Sequence, residues 1–159
     1  MPQLFNPTAS AVTITGMVLV DSKGHGHSDQ LVLGATGCPT SMPAGSYVLF
    51  CKNSHAYLYD STGSLTSTHN GCGFAFGLGS TDIANLFTSV SDNTLISSST
   101  TSASPATDGT SSWARPSVDG TGSMVTTKVR TPGKKNVFLV VNEMNTEGTS
   151  GDICAGEDW

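Results

Sequence analysis

A helix facing water needs a polar or charged stripe along its outer side, and this chain has little from which to build one. Only 12% of its 159 residues are charged, whereas Ser, Thr and Gly together exceed a third. Hydroxyl side chains suit strand surfaces and turns instead. The expectation is a charge-poor, turn-rich β structure. Hydrophobic residues make up 36% before the 18 glycines are counted, which is close to average once they are and sufficient for an ordinary core. The length fits one domain. A net charge of only −5 argues against charge-driven disorder.

The charge balance also limits partners. Twelve acidic and seven basic residues argue against a nucleic-acid ligand, since phosphate affinity comes from Lys and Arg. The one basic cluster, Lys128, Arg130, Lys134 and Lys135, reads as a solvated hairpin end. The opening residues carry no basic region and are interrupted at Pro7, so no secretory signal is expected. Apolar stretches such as 17–20 and 137–141 are strand-sized and far short of the roughly 20 residues that span a bilayer. A soluble, cytosolically made protein without a membrane partner is expected. Four cysteines (Cys38, Cys51, Cys72 and Cys154) leave disulfides open, but a reducing compartment makes free, buried thiols the default expectation.

Along the chain, 9–20 reads as one strand ending in the turn Asp21-Ser22-Lys23-Gly24. A short strand follows at 30–33, then a continuous apolar run at 47–51 of central-strand type. Residues 55–59 alternate, with Tyr57 and Tyr59 on one face, and Asp60-Ser61-Thr62-Gly63 turns the chain into a hairpin partner at 64–68. Ser80-Thr81-Asp82 caps the single helical candidate, 83–87. Residues 97–112 are low-complexity and read as a long loop. A second hairpin pairs 124–130 with 136–141 around Pro132-Gly133. The predicted fold is all-β, an antiparallel sandwich, jelly roll or barrel with at most one short helix. It is a single domain over 1–159, with an N-terminal arm at 1–8, the loop at 97–112 and a C-terminal tail at 143–159.

Motifs for chemistry are sparse. His25, His27 and Asp29 alternate and could share a metal on an extended strand; the glycines around them favour a plain loop, and no metal or other cofactor is expected. His69 and Cys72 lack the close cysteine pairs of structural zinc sites. There is no nucleophile elbow, phosphate loop or dinucleotide fingerprint, and the expectation is a protein that is not an enzyme. Trp113, followed by Arg115 and adjoining the low-complexity stretch, and the terminal Trp159 are candidate docking anchors.

Two segments, Asn6-Pro7-Thr8-Ala9-Ser10-Ala11-Val12-Thr13-Ile14 and Met42-Pro43-Ala44-Gly45-Ser46-Tyr47-Val48-Leu49, resemble strands of tailed-bacteriophage virion structural proteins, specifically those of the head decoration or cement type. The likeness is compositional and covers about the first 70 residues. It implies a β-rich capsid decoration protein, made in the host cytoplasm, resident in the virion and commonly trimeric, with the major capsid protein or other virion proteins as partners. It carries no catalytic residues. The expected interface residues are Phe5, Trp113, Arg115 and Trp159, stapling neighbouring capsid subunits. The other expectation is a receptor- or glycan-binding tail fibre or spike module, with Tyr57, Tyr59 and Trp113 as its platform.

Overall fold

The apolar run after Ser46 sets the architecture, because a strand without a polar side must be covered on both faces. The computed structural model describes residues 1–78, 82–99, 112–115, 125–127 and 131–134. In chain order the strands are β1 (Gln3–Phe5), β2 (Val12–Thr13), β3 (Val18–Val20), β4 (Leu31–Val32), β5 (Ser41–Met42) and β6 (Tyr47–Phe50). They continue with β7 (His55–Tyr59), β8 (Leu65–Asn70), β9 (Asn85–Phe87), β10 (Leu95–Ser98), β11 (Ser112–Ala114) and β12 (Val125–Thr127). One four-stranded sheet has the order β1-β6-β7-β8 and another the order β10-β9-β3-β4, with two-stranded ribbons β2-β5 and β11-β12. All the strand pairings are antiparallel. The described chain is all-β and consistent with a sandwich, and none of its residues is helical.

Alternation along β6 divides the interior in two. Val48 and Phe50 join Ala56, Leu19, Phe74 and Phe76 in the larger core cluster, against which Leu4, Leu58 and Leu86 pack. Tyr47, Leu49 and Cys51 face the other way, into a second cluster with Met1 and Tyr59. All four residues of β6 are buried. The 55–59 strand and its hairpin partner form as the sequence predicts, with Tyr57 opposite Thr68 and Ala56 opposite His69.

Several expectations are corrected. The 9–20 strand is two strands: β2 pairs with β5, whereas β3 lies between β4 and β9. Gly16, at φ 84°, turns the chain between them, and its N–H bonds Leu33 O at 2.8 Å. The helical candidate at 83–87 contains strand β9, which pairs with β3 from Val18 to Val20. A five-residue helix would close barely one turn, while the strand completes a sheet and buries Asn85. The predicted arm 1–8 is built into the first sheet: β1 pairs with β6, Phe50 N bonds Pro2 O at 3.1 Å and Asn6 N bonds Ser46 O at 3.0 Å. Within 97–112, Ser97 and Ser98 belong to β10 and Ser112 to β11; the stretch 100–111 lies outside the described residues. Val125–Thr127 pairs with Ser112–Ala114; its expected partner 136–141 and the tail 143–159 lie outside the described residues.

The thiol expectation also fails. Cys38 and Cys72 form a disulfide within the larger core, and Cys51 is disulfide-bonded as well. Spacing along the chain carries no information about this pairing, which depends on two loops meeting in space.

The abundant hydroxyls shape the turns. Asp60 Oδ1 accepts from Thr62 N, Thr62 Oγ1 and Ser64 N at 2.8, 2.6 and 3.0 Å. Asp92 Oδ1 accepts from Thr94 N and Oγ1 at 3.0 and 2.7 Å. Asn6 Oδ1 does the same with Thr8 N and Oγ1 at 3.0 and 2.8 Å. Each is an Asx turn reinforced by the threonine two residues on. Buried Asn6 also donates through Nδ2 to Ser10 O, Met42 O and Pro43 O at 2.9, 3.0 and 2.9 Å. Asn6→Ala strands these carbonyls and is expected to destabilise the fold by roughly 1–3 kcal/mol, read as a lower urea midpoint.

The same turns fix an acid response. The Thr62 hydroxyl, followed by the Ser64 amide, holds the Asp60 carboxyl below its ordinary 3.8. A carboxyl lowered in the folded state contributes stability that is present above its unfolded value and lost as pH falls through the folded one. Thr62→Val is therefore expected to move the Asp60 titration, followed by carboxyl NMR shifts, back up toward 3.8.

Candidate interaction surface

The loop after β3 carries the metal-like motif, and its geometry sends the two imidazoles to different partners. His25 Nε2 lies 2.8 Å from Ser89 O, and the ring packs edge-on to Phe87 at 5.3 Å. His27 Nδ1 lies 3.6 Å from Asp29 Oδ2. Lys23 Nζ sits 3.3 Å from the same Asp29 oxygen and 3.8 Å from Asp21 Oδ2, so an ammonium already occupies the carboxylates. Its hydrogen bond is the largest cause holding the Asp29 carboxyl below its ordinary value. Among the described residues no three His, Cys, Asp or Glu side chains gather to hold a metal ion. His69 and Cys72 do not form a zinc pair either: Cys72 is in the disulfide, and His69 Nε2 lies 2.9 Å from Ser67 Oγ.

One serine–histidine contact occurs at the start of β7, where Ser54 Oγ meets His55 Nδ1. The outer nitrogen, Nε2, is buried without a hydrogen-bond partner, and the ring stands edge-on to Tyr57 at 4.6 Å. Acyl-transfer triads place the nucleophile on one imidazole nitrogen and an orienting carboxylate on the other. This pair supplies only the first.

Tyr57 and Tyr59 share a face, with ring centroids 6.3 Å apart, but only Tyr57 is partly open. Gly133, at φ 68°, lies over the Tyr59 ring, and a Cβ there would sit 2.5 Å from its Cγ. The Gly133 N–H donates to Gln3 Oε1 at 2.8 Å, fastening this turn across β1 and β7. Burial, followed by the neighbouring Tyr57, raises the Tyr59 phenol above its ordinary value, and burial does the same for Tyr47.

Of the four expected interface residues, Phe5 lies in β1, and Trp113 and Arg115 lie in and just after β11. Phe5 is half-buried and stacked on Tyr47 at 4.8 Å, inside the second core cluster's border. Trp113 lies in β11 opposite Thr126. Arg115 turns toward the second sheet, where its guanidinium donates to Ser98 O at 2.5 Å and Ser97 Oγ at 3.4 Å. Trp159 lies outside the described residues.

A surface that the sequence reading missed stands at that same end. Among the described residues β10 is the outer strand of its sheet, and Leu95 and Ile96 are 52% and 47% exposed. Both side chains are open to solvent, and Ile96 is the extra residue at an irregular point of the strand. A register shift lies between Leu95 and Ser97, and the hairpin tip adds Val90, 50% exposed. The tip is held by Thr88 N to Thr94 O at 3.1 Å, by the Asp92 turn and by His25 on Ser89. Outer strands are normally blunted with Lys, Pro or covering segments. Leu-Ile-Ser-Ser, the whole of β10, carries neither charge nor proline. In sequence, Leu95-Ile96 looks like any core pair; only its position at the sheet edge shows otherwise.

No protein-family model, curated protein or solved structure matches this chain.

Gly133→Ala would drive a methyl into the Tyr59 ring at a positive φ. The expected cost is roughly 1–3 kcal/mol, measured by urea denaturation, with the Tyr59 phenol titrating closer to its ordinary 10.0.

Proposed function

We propose that the chain is a non-enzymatic virion structural protein, a capsid decoration or cement protein that acts as a homotrimer and staples neighbouring capsid subunits. The observation that carries this reading is the uncharged outer strand β10, which exposes Leu95 and Ile96 beside Val90. An outer strand of this type binds an extended segment of a partner by main-chain hydrogen bonds, with its exposed side chains adding contact area. The occupant of this edge is an uncharged, extended segment of the major capsid protein. Docking there desolvates no ions, a cost that charged surfaces incur. Leu95 and Ile96 are each about half exposed, so covering them returns about half of the roughly 1.5–3 kcal/mol available from a fully exposed side chain.

The staple differs in detail from one built on Phe5. Phe5 is already stacked inside its own sheet, and the β9–β10 hairpin takes its place. Arg115 supports that edge by holding Ser98. Disulfides also suit a protein that leaves the reducing cell on a particle surface. The likeness to phage head proteins points the same way. A glycan platform on Tyr57 and Tyr59 gains no such support, because Gly133 covers the second ring.

The test is re-addition of purified protein to particles stripped of it, with copy number counted. Hundreds of copies are expected. Leu95→Lys with Ile96→Lys is expected to weaken binding roughly 10- to 100-fold, with the urea midpoint of the isolated protein shifted little. Undiminished binding by the double variant, or a handful of copies per particle, refutes the proposal.

A further inference from the structure

The loop between β4 and β5 crosses the end of β8, and only its apex depends on a disulfide. Its two flanks are tied to the β2–β3 region by bonds that involve neither sulfur. Leu33 N donates to Met17 O at 2.8 Å, and Ile14 N donates to Thr40 O at 3.0 Å. The Thr15 hydroxyl donates to the same Thr40 carbonyl at 3.2 Å. The facing segment is fixed just as independently: Gly71 N bonds Ser54 O and Asn53 N bonds Phe74 O, both at 2.8 Å. Between these anchors, Ala35, Thr36 and Gly37 are exposed. The bond from Cys38 N to Ala35 O, 2.8 Å, shapes the apex without tying it to β8. That tie is Cys38–Cys72.

The apex covers something specific. Among the described residues β8 is the outer strand of the first sheet. His55 gives its carbonyl to Cys51 N, on the β6 side, so its cross-strand neighbour Asn70 turns its own main-chain groups toward the open edge. Gly37, at φ 89°, lies directly on that Asn70 carbonyl, and any Cβ there would collide with it.

We propose that residues 35–38 form a redox-operated cap over the Asn70 end of the β8 edge, locked by Cys38–Cys72 and released by reduction while the two sheets stay folded. Opening is thiol–disulfide exchange. A dithiol's thiolate attacks the sulfur of Cys38, which is 9% exposed where Cys72 is fully buried, and breaks the S–S bond; its second thiolate then displaces the Cys38 thiol. Two electrons pass to the protein, leaving two cysteine thiols and a cyclic oxidised reductant. Glutathione disulfide closes the cap again by the reverse exchange, releasing two glutathione thiols. If the proposed virion role holds, on which this timing rests, the cap is loose during synthesis in a reducing cytoplasm and locks in an oxidising medium.

The test uses the isolated full chain, so its outcome is independent of capsid binding. One arm is Cys38→Ala with Cys72→Ala, which leaves the Cys51 disulfide in place. The other is Cys51→Ala protein held in dithiothreitol, which opens Cys38–Cys72 without altering either residue. In both arms, backbone amide order parameters at 35–38 are expected to fall from about 0.85 to below about 0.6, and the carbon shift of the Asn70 carbonyl under Gly37 to move. Strands β6 and β7 keep their resonance positions. Collapse of the strand spectrum in both arms overturns the proposal, as does an unchanged order parameter at 35–38 in either folded protein.

Discussion

Double-sided burial of β6 is the constraint from which the rest of the molecule follows. Val48 and Phe50 need the opposing sheet, while Tyr47, Leu49 and Cys51 need a cover of their own. The second requirement explains why β1 is drawn in as a strand and why Gly133 is fastened over Tyr59 by Gln3. Fully burying an aromatic or aliphatic side chain is worth roughly 1.5–3 kcal/mol. A surface segment that covers several such side chains offsets the entropy of ordering itself.

Legibility in the sequence followed the range of the forces involved. β6 was readable because Tyr47 to Cys51 is apolar throughout, and the β7–β8 hairpin because Asp60 and Gly63 encode its turn locally. The break at Gly16 was not, since apolar residues continue on both sides of it. β9 reads as helical in sequence because its partner, Val18–Val20, lies far away along the chain, and long-range pairing overrides weak local propensity. The disulfide and the open edge at Leu95-Ile96 share this cause: both are facts of spatial arrangement. Arg115, one of the expected interface residues, meets this edge as a support.

The turns show how so few charges suffice. At Asn6, Asp60 and Asp92 a side-chain oxygen gathers main-chain and threonine donors two residues on, satisfying groups that would otherwise compete for water. The carboxylates here work mainly as acceptors for local backbone. Threonine has a double use, since its methyl fits the pleated surface while its hydroxyl closes the turn.

This economy has a consequence for the medium in which the molecule operates. Lys23 makes ion pairs with Asp21 and Asp29 in a single loop, where the Lys23 and Asp29 side chains are open to solvent. Dissolved ions weaken exposed charge pairs and leave hydrocarbon contact and short dipolar bonds nearly untouched. A molecule so constructed should hold its shape with little change from fresh water to brine.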